Sequence, residues 1–80
     1  MYYIPSDERK LGIWVQKGFR GGVKRNKVRR RIREIYRRNK RFLKKGTYLF
    51  YIKKKAQEAE FRELLEEFMK ITQGAGLWQG

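Results

Sequence analysis

Apolar residues recur along this chain with two different periods. Between Leu11 and Lys17 they alternate, with Leu11, Ile13 and Val15 on one face and Gly12, Trp14 and Gln16 on the other. That two-residue period predicts a strand. A shorter strand is predicted over Tyr2–Ile4, stopped by Pro5, with Ser6–Arg9 as the turn that follows. Gly18, Gly21 and Gly22 then break regular structure around Phe19 and Arg20.

From Val23 to Leu43 the period lengthens. Val28, Ile32, Ile35 and Phe42 recur at steps of four, three and seven, the stripe of an amphipathic helix. Asn39 falls inside the stripe, and Gly46 follows the helix end. Thr47–Ile52 predicts a strand buried on both faces, with Leu49 and Tyr51 on one side and Tyr48, Phe50 and Ile52 on the other. Lys53–Lys55 ends it. Gln57–Thr72 predicts a second helix that turns Phe61, Leu64, Leu65, Phe68 and either Ile71 or Met69 inward. Its Glu58/Arg62 and Glu66/Lys70 pairs add about 0.2–0.5 kcal/mol each. Gly74 and Gly76 close it, leaving Leu77 and Trp78 as an apolar tail for which packing is the one legible role. Strand, helix, strand, helix in this order predicts an α+β or α/β layer, helices lying on a small sheet. The chain carries no repeat and no low-complexity linker, so residues 1–80 are expected to form a single domain.

Composition changes this picture through charge. There are 22 Lys or Arg against 8 Asp or Glu, a net +14. From Lys17 to Lys55 stand 18 basic residues and one acid, Glu34, so this block carries +17 and the remainder −3. An aromatic share of 15% is too high for a disordered basic tail, so a small core under a cationic surface is expected. With no Cys and no His, thiolate and imidazole metal sites and nucleophiles built on either residue are excluded. No apolar run approaches the roughly 18 residues of a membrane span. No signal-peptide pattern opens the chain either, so a cytoplasmic protein without membrane contact is expected.

On the long helix, Asn26, Arg30, Arg33 and Arg37 fall together opposite the apolar stripe, in a row spanning roughly 16 Å at 1.5 Å per residue. Lys27, Arg29, Lys40 and Arg41 flank them. A merely solvated face mixes both signs, whereas like charges at i,i+4, such as Arg29/Arg33 and Arg33/Arg37, destabilise a helix. Concentrating them is explained by a polyanion that relieves the repulsion. The abundance of Arg, a planar fork of donors matched to phosphate, points to nucleic acid. A helix–turn–helix would need a helix where Leu11–Lys17 predicts a strand, and a basic zipper would need heptads that Gly46 interrupts. Tyr36, Tyr48, Phe50 and Tyr51, with Trp14 and Phe19, are either core residues or rings that stack on unpaired bases of RNA. Gly21-Gly22 before the helix is either an anion nest or a plain turn, and it lacks the pattern of a nucleotide-hydrolase loop. Five of the acids lie between Glu58 and Glu67 on an ordinary amphipathic helix, and Glu34 is placed to neutralise Arg30, Arg37 or Arg38. No catalytic residue and no metal-binding set is therefore expected in the protein.

Two stretches carry a resemblance: the strand Leu11-Gly12-Ile13-Trp14-Val15-Gln16-Lys17, and, after a glycine-containing loop, Arg25-Asn26-Lys27-Val28-Arg29-Arg30-Arg31-Ile32-Arg33-Glu34. Gly46 before Leu49-Phe50-Tyr51-Ile52, then an amphipathic helix, completes the order. Over roughly residues 11–70 this resembles the bacterial ribonuclease P protein subunit.

The resemblance implies an α+β, ribosomal-protein-S5-domain-2-like fold with a left-handed βαβ crossover, against the usual right-handed rule. Set against the family, the chain is expected to lack a first helix and strand, and Arg20 stands where the family often has Gly. The resemblance also implies binding to ribonuclease P RNA and precursor tRNA, assisting 5′-leader removal in tRNA maturation. Chemistry is then expected in the RNA with its Mg²⁺, with no cofactor bound by the protein. Arg25, Asn26, Lys27, Arg30 and Arg33 carry over as RNA-facing residues, and Lys17 as a basic position at the strand end. Lys24, Arg29 and Arg37 complete the candidate RNA-binding set. A shortened sheet leaves an open edge or apolar face that invites pairing with a second copy. The alternative function is a general structured-RNA-binding or RNA-chaperone module without a ribonuclease P role; a self-sufficient nuclease is the third.

Overall fold

A computed structural model of the chain describes residues 1–18 and 21–79. Its elements are β1 (Tyr2–Pro5), β2 (Arg9–Val15), α1 (Gly21–Asn39), β3 (Gly46–Ile52) and α2 (Phe61–Gly74), with short 3₁₀ turns at Lys40–Phe42 and Lys54–Glu58. The three strands form one mixed sheet in the order β1-β3-β2. Central β3, the most apolar of them, runs antiparallel to β1 and parallel to β2. This is an α+β arrangement of a small sheet and two helices. The expectations for Phe19 and Arg20 fall outside the described residues.

Both helices lie on one face of the sheet. Val15, Tyr48, Phe50 and Ile52 from the strands meet Val28, Ile32, Ile35 and Tyr36 of α1 and Leu64 and Phe68 of α2 in one buried cluster. Phe50 stacks on Phe68 with ring centroids 5.2 Å apart, and Tyr36 tilts against Tyr48 at 5.7 Å. Gly46 is where β1 passes close to β3. Its φ is +150°, and a Cβ there would stand 2.6 Å from the Ile4 carbonyl oxygen and from the Tyr3 ring, so a side chain would force the strands apart.

Several expectations are corrected. The strand at 46–52 is buried on one face only, with Leu49 and Tyr51 exposed, because both helices cover the opposite face. Parallel pairing begins at Arg9↔Gly46, so β2 starts two residues before Leu11 and stops at Val15, leaving Lys17 beyond it. The long helix ends at Asn39, whose side-chain amide donates to the Ile35 carbonyl at 2.8 Å. Phe42 therefore leaves the apolar stripe and stacks on Trp78, while Tyr36 joins the stripe instead. The second helix begins at Phe61, where Glu60 and Glu63 form a reciprocal capping box. Glu58 precedes it and pairs with Lys24, and Arg62 pairs with Glu66 one turn on. Of the two inward candidates, Met69 packs against the core and Ile71 is the more exposed.

The apolar tail is part of the core. Gly76, at φ +70°, turns the chain after α2, and the Leu77 N–H donates to the Thr72 carbonyl at 3.1 Å. Leu77 is buried, and Trp78 bridges antiparallel to Leu43. The Trp78 indole N–H donates to the hydroxyl of fully buried Thr72 at 2.8 Å, and that hydroxyl donates to the Phe68 carbonyl at 2.8 Å. Thr72 thus exchanges two polar groups within an apolar setting without leaving its own oxygen unpaired.

Tyr48 sits at the centre of a tyrosine cluster. Its hydroxyl donates to the Lys44 carbonyl at 2.7 Å, its ring lies 4.9 Å from Tyr3, and the Tyr3 hydroxyl donates to the Lys45 carbonyl. Burial, with smaller contributions from Tyr3 and Tyr36 and opposed by Arg9, pushes the Tyr48 phenol up to about 12 from its usual 10.0. Burial likewise raises Tyr36, again opposed by Arg9. The folded chain thus holds the Tyr48 proton more tightly than the unfolded chain. This contribution to stability is complete below pH 10.0 and lost as pH rises towards about 12. Urea unfolding is expected to show stability falling across that window, with a 295 nm phenolate component appearing near its upper end. Tyr48→Phe should make the fall shallower and remove that component; an unchanged profile in the variant would assign the fall to other groups.

Candidate nucleic-acid interface

The apolar stripe of α1 decides where its cations go. With Val28, Ile32, Ile35 and Tyr36 seated on the sheet, the positions near 180° around the helix are pushed into solvent. Asn26, Arg30, Arg33 and Arg37 are all exposed there, as are Arg25 and Lys27 on the flank. Arg29 and Lys24 are half-buried. Arg31, on the side facing the 3₁₀ turn, donates to the Ala59 carbonyl at 3.2 Å and so ties α1 to the approach of α2.

Ion pairs grade these cations. Glu34 accepts from Arg37 at 2.7 Å and from Arg38 at 2.9 Å, while Lys24 is held by Glu58. Among the described residues, Arg30 and Arg33 stand in no ion pair and have the fewest competing contacts of the row. Exposed pairs of this kind are worth about 0–1 kcal/mol, so a phosphate can displace Glu34 from Arg37 at small cost. The first turn of α1 carries no acid, so the partial positive charge of the helix N-terminus adds to Lys24, Arg25 and Lys27. Around Gly21 and Gly22 the space a side chain would fill is open.

The parallel β2–β3 pairing adds a cation group that no reading of one element at a time contains. Parallel strands end on the same side, so Lys17 after β2 and Lys53–Lys55 after β3 come together. The Gln16 N–H donates to the Ile52 carbonyl at 2.8 Å, and the Lys54 N–H donates to the Gln16 side-chain oxygen at 2.9 Å, which locks the two strand ends. The Lys24–Glu58 pair brings the start of α1 beside the 3₁₀ turn that opens at Lys54. Lys17, Lys53, Lys54 and Lys55 are all exposed at this end. In the sequence, Lys53–Lys55 marks only the end of a strand; their proximity to Lys17 requires knowing that the strands are parallel. At the far end of α1, the Arg9 Nε donates to the Lys40 carbonyl at 3.2 Å, a cation placed on the negative end of the helix.

The aromatic candidates divide cleanly. Tyr36, Tyr48 and Phe50 are core residues, whereas Trp14 and Tyr51 stand on the open sheet face. Among the described residues, no group of acidic side chains is gathered in a way that holds a metal ion. No helix among them is long and apolar enough to cross a membrane.

Comparison with known proteins then decides the family. A model of the family described as Ribonuclease P matches residues 1–76. The chain belongs to the ribonuclease P protein family. Its match takes in every candidate residue from Lys17 to Arg37, the strand-end lysines and both helices. A Ribonuclease P protein component from Thermus aquaticus is 39% identical over 77 residues, which cover 96% of this chain and 46% of that protein. The Thermotoga sp. (strain RQ2) component is 40% identical over 76 residues, covering 85% of this chain and 65% of its own length. The Dictyoglomus turgidum component is 33% identical over 75 residues, at 90% and 63%. The chain thus spans about half the length of the Thermus relative and under two thirds of the others.

Proposed function

We propose that this chain is the protein subunit of a ribonuclease P, binding its catalytic RNA and precursor tRNA to assist 5′-leader removal. The observation that carries this reading is the exposed row Asn26, Arg30, Arg33 and Arg37, on a helix inside the family match, with Arg30 and Arg33 unengaged by acids. Arg forks on that row bind phosphate oxygens bidentately and hold two backbones together that otherwise repel. Lys24, Arg25, Lys27 and Arg29 extend the contact around α1, and Lys17 with Lys53–Lys55 extends it past the strand ends. In this reading the bond-breaking chemistry and its Mg²⁺ belong to the RNA, and the protein supplies counter-charge and position. The parallel β2–α1–β3 unit is where the left-handed crossover of a ribosomal-protein-S5-domain-2-like fold resides. A cytoplasmic setting follows from the proposed RNA partners.

The test is cleavage of precursor tRNA by the cognate RNA with and without the chain. The chain is expected to lower the salt or Mg²⁺ concentration that leader cleavage requires. No change at any salt would overturn the reading, and equal affinity for unrelated structured RNAs with equally steep salt slopes would favour a general RNA-binding module.

A further inference from the structure

We propose that two copies of this chain associate face to face through the open side of the sheet, away from the basic helix. With both helices on one face, the register lines up Tyr2, Leu49 and Gly12 in one row across the other face and Tyr51 and Trp14 in the next. Tyr2 is 75% exposed, Trp14 74% and Tyr51 48%. The Trp14 and Tyr51 rings meet edge to face at 6.1 Å, so the patch is ordered without a cover. Between them lies an open hollow of about 900 Å³. It exists because Gly12 places no side chain there, and Leu49 already occupies the spot a Cβ would take.

Three observations commit this face to a second copy. It is self-complementary: a projecting ring, Trp14, stands two residues from the hollow at Gly12, so a two-fold axis seats each Trp14 over the other's Gly12. Its area is sufficient. At about 150–250 Å² per fully buried ring, the exposed parts of Tyr2, Trp14 and Tyr51 amount to roughly 400 Å² per copy. Ile4 and Leu49 bring the pair of copies to roughly 1,000–1,200 Å², the threshold of a specific, reversible interface. Finally, no Lys or Arg lines the hollow, whereas a strand of RNA would need cations tracking its phosphates. The basic helices then sit on the two outer sides, where their repulsion is screened beyond about 8 Å at physiological salt.

The experiment is sedimentation of nuclease-treated, RNA-free chain from about 1 to 100 μM, at low and at high salt. A reversible monomer–dimer equilibrium in the micromolar range is expected, tightening as salt rises, the reverse of RNA binding. Trp14→Glu should weaken it at least tenfold with unchanged helix content, and Trp14→Ser, which removes the ring without adding charge, should weaken it too. Arg30→Ala with Arg33→Ala should leave it intact, which separates this interface from the proposed RNA surface. A monomer throughout, or a dimer that persists in both Trp14 variants, would overturn the proposal. So would quenching of Trp14 fluorescence by a short single-stranded RNA without self-association, which would give the face to RNA.

Discussion

A chain carrying Arg30→Ala and Arg33→Ala is expected to bind structured RNA far more weakly, with a visibly flatter salt dependence. Both side chains are exposed and engage no acid among the described residues, so nothing in the fold competes for their donors. Hydrogen bonds to charged groups are worth about 1.5–3 kcal/mol, so each lost phosphate contact costs roughly tenfold or more in affinity. The log–log slope against salt should fall by about 0.7–0.9 per contact, or roughly 1.5 for the pair. Stability supplies the control. Arg33 has like-charged neighbours at Arg29 and Arg37, so removing it relieves repulsion of about 0.2–0.5 kcal/mol per pair. The variant should therefore melt at the parent temperature or slightly above. Affinity lost with an unchanged slope, or together with a lowered melting temperature, would place these residues in folding rather than in phosphate contact.

Phe68→Ala is expected to have the largest effect on stability. Phe68 is 2% exposed and stacks on Phe50, the contact that fastens α2 to the sheet. Truncating such a ring costs about 3–5 kcal/mol, because the cavity collapses only in part. An 80-residue domain has roughly 4–12 kcal/mol in all. At about 4–8 °C per kcal/mol, thermal melting followed by circular dichroism should drop by at least about 12 °C, and a marginal parent would not fold. Ile71→Ala, three residues along the same helix but largely outside the cluster, should cost less than half as much. Equal costs at the two positions would mean that α2 presents a different face to the sheet.

How legible the molecule was depended on whether a property is local. The strand around Leu11–Val15, the long basic helix, the strand through Phe50 and the second helix are all read from short-range periodicity. The outward row Asn26, Arg30, Arg33 and Arg37 follows from helix geometry once the apolar stripe is known. Element ends were less legible. Phe42 lies seven residues after Ile35, as a longer helix would place it, but the Asn39 side chain ends the helix first. The start of α2 is set by Glu60 and Glu63, a capping box with Glu in place of the usual Ser or Thr, which pattern-reading passes over. Thr72 reads as polar surface, and only Trp78, reaching back from beyond Gly76, explains why it is buried.

By itself the sequence determined that this is a small α+β domain whose +17 block lies mostly on one helix, and it carried the order of motifs by which the family is known. Those are properties of period, spacing and charge, and each is carried by residues close in the chain. The tertiary structure alone decided which strand faces meet a helix. That choice buried Tyr48 and Phe50 while leaving Tyr51 and Trp14 on an open face. It also made β2 and β3 parallel, which gathers Lys17 with Lys53–Lys55. Both outcomes depend on contacts between residues some 35–40 positions apart, and no local pattern records which of two equally apolar faces a distant helix will cover.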